Sequence, residues 1–176
     1  MIKIIEKIKG AIAPIVLLMS LSSQAVAEDN VSKDGILYSG LGFATAKVIT
    51  PTEGYEDVTY GVLVRVGYDF NKYIGIEGRI LKTMWKYEQQ KIEHIGLFAK
   101  PKLSVTEDMN IYALIGYGKV ETGHKIVFDD TGMAWGVGMD YDLDNSLGVF
   151  IDYERLLQKS DTTDFNVVSL GMRYDF

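Results

Sequence analysis

The segment Val58–Phe70, with the sequence VTYGVLVRVGYDF, alternates between large apolar side chains and small or polar ones, with Leu63 as the one large apolar residue in the second set. Alternation with a period of two predicts a β-strand that has one apolar and one polar face. A strand of a globular protein is usually about 5–6 residues long, whereas a tilted strand that crosses a bilayer needs about 9–11. The length of this segment therefore favours a strand that spans a membrane.

The same alternation recurs along the chain and predicts eight strands, near 34–48, 57–70, 73–87, 90–105, 109–121, 130–143, 146–157 and 163–176. Tight connections rich in Asp and Asn (DFNKY, VTEDMN and DLDNS) alternate with polar loops at 48–57, 121–130 and 157–163 and a short turn near KYEQQ. An even number of antiparallel strands with short turns at one end is typical of an outer-membrane barrel. We therefore predict an all-β fold, an eight-stranded antiparallel up-and-down transmembrane β-barrel with short periplasmic turns.

The N-terminus has the three parts of a secretory signal peptide, namely a lysine-rich start, an apolar run over 11–21 and small residues at 25–27. We predict a signal peptide over 1–27 and a barrel domain over 28–176, although a buried N-terminal helix or a short membrane anchor is also compatible with this segment. The chain contains no cysteine, so neither a disulfide nor a lipid-modified cysteine is expected. Its formal net charge of −6 disfavours binding to nucleic acid.

The facing of the strands separates a membrane barrel from a soluble barrel of the lipocalin type. A soluble barrel holds its bulky apolar residues inside and its charges outside. Here the charged positions of each strand are also rich in Gly and Ala, which suits a crowded interior, and the apolar positions carry Tyr, Trp and Phe towards the strand ends. This favours apolar side chains facing lipid. The first strand stays ambiguous because Tyr38 and Phe43 fall on opposite faces.

The segments IGYGKV, NSLGVFIDYERL and the terminal SLGMRYDF resemble the small outer-membrane β-barrel family, of the OmpA/OmpX kind and the opacity-type surface antigens. The resemblance implies a monomer in the outer membrane of a Gram-negative bacterium, in contact with outer-membrane lipid and lipopolysaccharide. It also implies contact with periplasmic chaperones and the outer-membrane assembly machinery during biogenesis. The last strand resembles the assembly signal of such barrels, with alternate apolar residues that end on an aromatic: Val168, Leu170, Met172, Tyr174 and Phe176.

The alternation also predicts which charged side chains face the lumen. An eight-stranded barrel has an interior just wide enough to be filled by side chains, and buried charges there must be paired. We therefore expect a plug of ion pairs, with a small passive porin-like channel as the alternative. The predicted lumen charge network consists of Arg65, Glu77, Arg79, His94, Lys100, Lys102, Asp140, Asp152, Glu154, Arg173 and Asp175.

A lipid A-modifying enzyme is a further alternative, because such barrels use a His with a nearby Ser and a carboxylate. His94 lies in EHIG without a serine close to it in sequence, and His124 lies in or beside a surface loop. The DDTG and DLDNS clusters lack the spacing of a calcium loop. No catalytic, cofactor-binding or metal residue is therefore predicted, and no cofactor.

The expected role is structural or in surface interaction, that is, envelope integrity, adhesion or host contact through the loops. A group of acidic residues near the predicted rim weakly suggests a cation-binding or host-facing surface, although solvated loops are commonly acidic: Glu53, Glu56, Asp57, Asp129, Asp130, Asp161 and Asp164.

Overall fold

The computed structural model describes residues 35–50, 55–83, 91–123, 128–158 and 164–176. The predicted signal peptide and His124 lie outside these residues. The described chain forms eight strands: β1 Ile36–Thr50, β2 Tyr55–Asp69, β3 Ile74–Thr83, β4 Lys91–Ser104, β5 Met109–Gly123, β6 Phe128–Asp142, β7 Leu147–Gln158 and β8 Asp164–Asp175.

The eight strands form one closed barrel in which every strand is antiparallel to the next and β8 pairs with β1. Closure runs from Tyr38↔Asp175 to Ile49↔Asp164, and the backbone N–H of Phe176 donates to the carbonyl of Leu37 at 2.9 Å. A closed sheet satisfies its backbone groups within itself, which the hydrocarbon core of a bilayer demands. The predicted fold class is confirmed. No helix in the described part of the chain is long and apolar enough to cross a membrane.

Three short turns, 70–73, 105–108 and 143–146, connect strands at one end of the barrel. Two of them are built around a side-chain acceptor. Asn71 Oδ1 accepts from the backbone N–H groups of Tyr73 and Ile74, and Asp144 Oδ1 accepts from those of Ser146 and Leu147. This is the turn geometry that Asn and Asp favour, and it explains why the tight connections could be recognised in the sequence.

The side chains alternate between the lumen and the outer surface along the strands. In β2 the positions of Thr59, Leu63, Arg65 and Asp69 are buried, while Tyr60 on the other parity is exposed. The structure also settles the facing of β1: Tyr38 is fully buried in the lumen, and Phe43 is 78% exposed on the outer surface. The two aromatic residues lie on opposite parities because the Tyr38 ring packs inside the lumen and the Phe43 ring projects from the outer surface of the barrel.

Two of the predicted surface loops are shorter than expected. β1 continues to Thr50 and β2 begins at Tyr55, so only 51–54 remain of the loop predicted at 48–57. Likewise β5 reaches Gly123 and β6 begins at Phe128, so Asp129 and Asp130 are strand residues. Polar side chains continue a strand beyond the bilayer because the antiparallel ladder, not lipid, satisfies the backbone there.

Aromatic side chains project outward around the short-turn end of the barrel. They form a ring next to the turns, as expected at a membrane–water interface. This ring comprises Tyr68, Phe70, Tyr73, Tyr141, Tyr174 and Phe176. Further outward aromatic side chains lie nearer the middle of β2, β5 and β6: Tyr60, Tyr117 and Trp135.

Candidate functional site

The lumen is crossed by a network of ion pairs whose central member is Glu77 on β3. This fully buried carboxylate accepts from Tyr38 Oη at 2.5 Å and from Arg79 Nε at 2.5 Å. Lys100 Nζ also donates to it at 3.2 Å, and Arg65 Nη1 lies 3.7 Å away. Three cations and a phenol therefore surround one carboxylate, which compensates for its removal from water.

The network continues towards the short-turn end through Asp140 on β6. Asp140 accepts from Arg65 Nη2 at 2.8 Å, from Lys100 Nζ at 2.9 Å and from Arg173 Nη1 at 3.3 Å. Arg173 also donates to Asp69 at 2.9 Å, and Arg173 Nε lies 2.5 Å from Asp175 Oδ1. A second ion pair at this end joins Lys102 to Asp69 at 2.6 Å.

On the other side of Glu77 the network extends through Arg79. Besides Glu77, this guanidinium donates to Asp152 Oδ2 at 2.7 Å and to Glu154 Oε2 at 3.0 Å, both on β7. Tyr112 Oη donates to the same oxygen of Asp152 at 3.0 Å. Arg79 thus holds three carboxylates from two strands that are not neighbours in the sheet, and it braces the barrel from the inside.

Aromatic rings sit between the charges of the lumen. The guanidinium of Arg65 lies 3.6 Å from the ring centroid of Phe150, and that of Arg173 lies 3.9 Å from the centroid of Tyr38. The ammonium of Lys100 lies 4.0 Å from the centroid of Tyr112. Cations stacked on aromatic faces are stabilised without any further carboxylate, and the rings fill space that water would otherwise occupy.

A layer of apolar side chains fills the loop-side half of the lumen. Leu63, Leu81 and Ile92 enter it from β2, β3 and β4, nearer the loop-side ends than the inward-facing charged residues of those strands. Val120 enters it from β5. These residues belong to one buried cluster with side chains from β1, β7 and β8, namely Ala44, Ala46, Val48, Phe150, Leu156, Leu157, Phe165 and Val167. Phe150 is the member that reaches into the charged half, against Arg65. The lumen is therefore filled twice, by charges in one half and by a mainly apolar layer in the other.

His94 lies at the border of the two layers without a hydrogen-bond partner. Its ring is buried, and Nδ1 is 3.9 Å from Glu154 Oε1, too far for a hydrogen bond. The Oγ of Ser169, also buried, has no partner either. Within the described residues, His94 is therefore not hydrogen-bonded to any serine or carboxylate in the manner of a catalytic triad.

The charged side chains at the loop-side end of the outer surface form exposed ion pairs. Lys82 and Lys91 both contact Glu93, at 3.1 and 2.7 Å. Lys119 contacts Glu121 at 2.6 Å and Asp129 at 3.2 Å. In the part of the chain that the structure describes, no group of His, Cys, Asp or Glu side chains is arranged to hold a metal ion.

Nine of the eleven charged residues predicted for the lumen are buried there: Arg65, Glu77, Arg79, His94, Lys100, Asp140, Asp152, Glu154 and Arg173. Lys102 and Asp175 also point inward, at the more open short-turn end, and their side chains are 9% and 20% exposed. His94 is the one among the eleven that joins no hydrogen bond of the network.

Sequence reasoning omitted Asp69, Tyr38 and Tyr112 from this set, although all three are central to it. Asp69 shares the inward parity of Arg65 and could have been included on that basis. Tyr38 stood on the one strand whose facing was ambiguous. Tyr112 alternates with the outward Ile111, so its parity was the available signal.

The alternate apolar residues of β8 and the terminal residue project from the outer surface of the barrel. Tyr174 and Phe176 pack edge to face, with ring centroids 5.1 Å apart, in the aromatic ring at the short-turn end. The five residues of the predicted assembly signal are all about half exposed in the absence of lipid: Val168, Leu170, Met172, Tyr174 and Phe176.

The family model described as "Outer membrane protein beta-barrel domain" matches residues 13–176 of this sequence. The chain belongs to this family. A comparison with curated protein sequences gives no match. Family membership places the protein in the bacterial outer membrane as an integral barrel. The closed sheet, the apolar outer surface and the outward aromatic side chains around the short-turn end agree with this location.

Solved structures of three bacterial barrels share the fold. Ail, the attachment invasion locus protein of Yersinia pestis, has a TM-score of 0.62 at 22% identity, over 81% of this chain and 99% of that one. Neisserial surface protein A has a TM-score of 0.60 at 16% identity, over 80% and 97%. OprG from Pseudomonas aeruginosa has a TM-score of 0.54 at 16% identity, over 82% and 97%.

Proposed function

We propose that the protein is a sealed, non-enzymatic outer-membrane barrel that serves as a rigid scaffold and acts through the surface it presents outside the cell. The observation that carries this proposal is the double filling of the lumen by the network around Glu77 and Arg79 and by the apolar layer. A barrel without a free path through it contributes by its stability in the envelope and by its loops.

The apolar layer is the stronger argument against conduction. A charged lumen can pass ions when it holds water, but an apolar constriction excludes water and so closes a pore to ions. Leu81, Ile92 and Leu156 are each at most 1% exposed. The cationic side chains in the charged half of the lumen are paired with carboxylates at hydrogen-bond distance. They therefore do not form a row of vacant sites along which anions could pass.

The buried position of His94 argues against lipid A chemistry. Acyl transfer or hydrolysis needs a nucleophile, a base hydrogen-bonded to it, and access for the substrate. His94 is 2% exposed and lies inside the barrel, whereas lipid A would approach from the outer surface. We therefore propose a role for His94 in packing, against the glycines Gly96 and Gly118, whose lack of side chains makes room for its ring.

The ligand class of the outer surface is proposed from its charges. Ail has been crystallised in complex with the heparin analogue sucrose octasulfate. In the present chain Lys82, Lys91 and Lys119 are each already paired with a carboxylate. The described rim thus does not favour a highly sulfated ligand, and we propose that its contacts are with neighbouring lipopolysaccharide and with protein or cell surfaces of mixed charge.

Planar-bilayer recording on the refolded barrel tests the sealed lumen. We expect no stable unitary current at any salt concentration, with a general porin recorded under the same conditions as the reference. Steady, salt-dependent unitary steps would overturn the proposal in favour of the passive channel. Lipid A profiles of cells with and without the protein should be identical, and a change in acylation would establish an enzyme.

The surface role is tested by replacing residues 124–127 and 159–163 with short Asn-Gly turns while keeping the barrel strands. If the loops carry the function, cells with this variant should lose attachment to host cells but keep the detergent resistance of cells with the native chain. Loss of detergent resistance with unchanged attachment would instead assign the protein to envelope integrity.

A further inference from the structure

The hydrogen-bonded ladder between β4 and β5 is interrupted near the short-turn end of the two strands. Ala99 pairs with Ile115 and Lys102 pairs with Tyr112, but Lys100 and Pro101 have no partner on β5. On the opposite side both residues keep their partners on β3. A proline has no N–H to donate to a neighbouring strand, so β4 and β5 are less tightly joined at Pro101 than elsewhere.

A groove of about 730 Å³ opens on the lipid-facing surface at this position. Ala113 forms a low point in the floor of the groove, because this small residue stands between the larger Ile111 and Ile115 on the outward face of β5. The groove continues over β6, β7 and β8, and its lining is almost entirely apolar. The outward-facing residues that line it are Pro101, Leu103, Ile111, Ala113, Val137, Met139, Ile151, Tyr153 and Val168.

The two ends of the groove differ. One end lies at Leu103 and Ile111, next to the turn 105–108 at the short-turn end of the barrel. The other end lies at Tyr153, whose hydroxyl is hydrogen-bonded to Asn166 at 2.8 Å and so marks where the apolar lining stops. The groove thus begins near the periplasmic membrane surface and runs towards the middle of the bilayer.

We propose that this groove binds one acyl chain of a phospholipid from the periplasmic leaflet. The groove is continuous with the lipid-facing surface of the barrel, and it enters that surface from the side where phospholipid headgroups lie. A second copy of the chain is a poorer occupant, because lipid tails are as apolar as the groove and an apolar surface alone therefore gives no driving force for association in the bilayer. Of the outward residues in the groove, Ala113 is the smallest.

The chain offers a matched pair of variants for the test. Ala113→Phe places a ring in the groove, whereas Ala99→Phe places the same ring on the lipid-facing side of the neighbouring strand, outside the groove residues. Both positions face lipid, so neither change disturbs the lumen. Heat-dependent gel mobility establishes that each variant is folded before lipid is measured.

The full-length barrel is extracted from phosphatidylethanolamine and phosphatidylglycerol vesicles into mild detergent and weighed by native mass spectrometry. We expect one retained phospholipid on the native protein and on Ala99→Phe, and loss of that phospholipid from Ala113→Phe. No retained phospholipid on the native protein, or equal loss from both variants, would overturn the proposal. A dimer that Ala113→Phe dissociates would identify a second copy as the occupant.

A measurement on the unaltered protein keeps the proposal falsifiable if Ala113→Phe does not fold. Vesicles containing phosphatidylethanolamine with a photoreactive acyl chain should yield cross-links concentrated several-fold on Pro101, Ala113 and Val137 over Val64 and Val66 of β2, across the barrel from β6. An even distribution around the barrel would contradict a specific site. Preferential cross-linking by photoreactive lipid A instead of phospholipid would place the bound chain in the outer leaflet and overturn the assignment.

Discussion

Each buried charge in the lumen depends on several partners, and Arg79 shows the extent of this dependence. It is fully buried and contacts Glu77, Asp152 and Glu154 through all three nitrogens of its guanidinium group. A buried pair need not be more stable than an apolar substitute for both members, but removing one member leaves uncompensated charge in a dry interior. For a single residue of the lumen, stability therefore depends on keeping each charge paired rather than on having a charged pair instead of an apolar one.

The substitution Arg79→Met should therefore lower the free energy of unfolding by about 3–5 kcal/mol, because it leaves Asp152 and Glu154 without their shared cation and removes one of the cations around Glu77. The control is Lys82→Met on the same strand, which removes an exposed ion pair with Glu93 and should cost no more than about 1 kcal/mol. Urea unfolding of the two barrels in lipid vesicles, followed by gel mobility, gives both values. Similar losses in the two variants would contradict a lumen held by its charge pairs.

At the scale of a strand pair, the closure of the barrel depends on the close approach of β8 and β1. Gly171 and Gly42 are direct partners, and a Cβ added at Gly171 would lie 2.6 Å from Phe150 and within overlap distance of the backbone of β1. These backbone atoms cannot move aside without opening the seam. The glycine is required here by space rather than by its backbone conformation.

Gly171→Val should for this reason prevent closure and leave most of the refolded protein with the gel mobility of the unfolded chain. Gly78→Val is the matched control, because a Cβ at Gly78 has no atom nearer than 3.7 Å and valine is a good strand residue. That variant should refold as the native protein does. Efficient refolding of Gly171→Val would show that the seam tolerates a side chain.

The last strand also has a predicted role before the barrel exists, as a signal for assembly. Removal of Phe176 should reduce insertion into the outer membrane far more than secretion across the inner membrane, because the terminal aromatic is the residue that such a signal displays. Phe43→Ser is the control, since it removes a more exposed lipid-facing aromatic from β1. The measurement compares periplasmic and outer-membrane fractions in pulse-labelled cells, and normal insertion of the truncated chain would refute the signal.

The elements differ in how far they could be predicted from sequence. The alternation of β2 predicts its facing correctly, because Gly and charge share one parity. The facing of β1 could not be decided, since Tyr38 is needed inside as a donor to Glu77 and Phe43 outside against lipid. The loops at 48–57 and 121–130 were predicted too long, because a strand that continues into water loses the apolar alternation by which it is recognised.

For the lumen network, the sequence pattern predicted most of the charged members but neither the missed Asp69 nor any of the pairings. Parity places Arg173 and Glu77 inside, but it does not say which carboxylate meets which cation across the barrel. Arg173 pairs with Asp69, 104 positions away, and Arg79 pairs with Glu154, 75 positions away. These pairs depend on the stagger of the strands around the closed sheet, which follows from the registers of all eight ladders together rather than from any one segment.

The whole molecule is a barrel with two seals of different chemistry stacked along its axis. The charge network occupies the half near the short turns, and the apolar layer occupies the half near the loops. Ion pairs close the lumen by filling it, whereas the apolar layer closes it by excluding water. Because the mechanisms are independent, either seal should suffice to block ions.

This redundancy predicts a non-additive outcome for variants that open the lumen. The double substitution Arg79→Ala with Glu154→Ala opens the charge seal while removing one charge of each sign. Phe165→Ala with Leu156→Ala opens the apolar seal. In planar bilayers each double variant alone should give no unitary current, because the other seal is intact, and the fourfold variant should conduct.

Phe43→Ala with Leu170→Ala, which truncates two paired lipid-facing residues instead, should leave the barrel closed. Current through the barrel lacking only Phe165 and Leu156 side chains would mean that the charge network does not seal the lumen, and that the apolar layer alone keeps this membrane barrel closed.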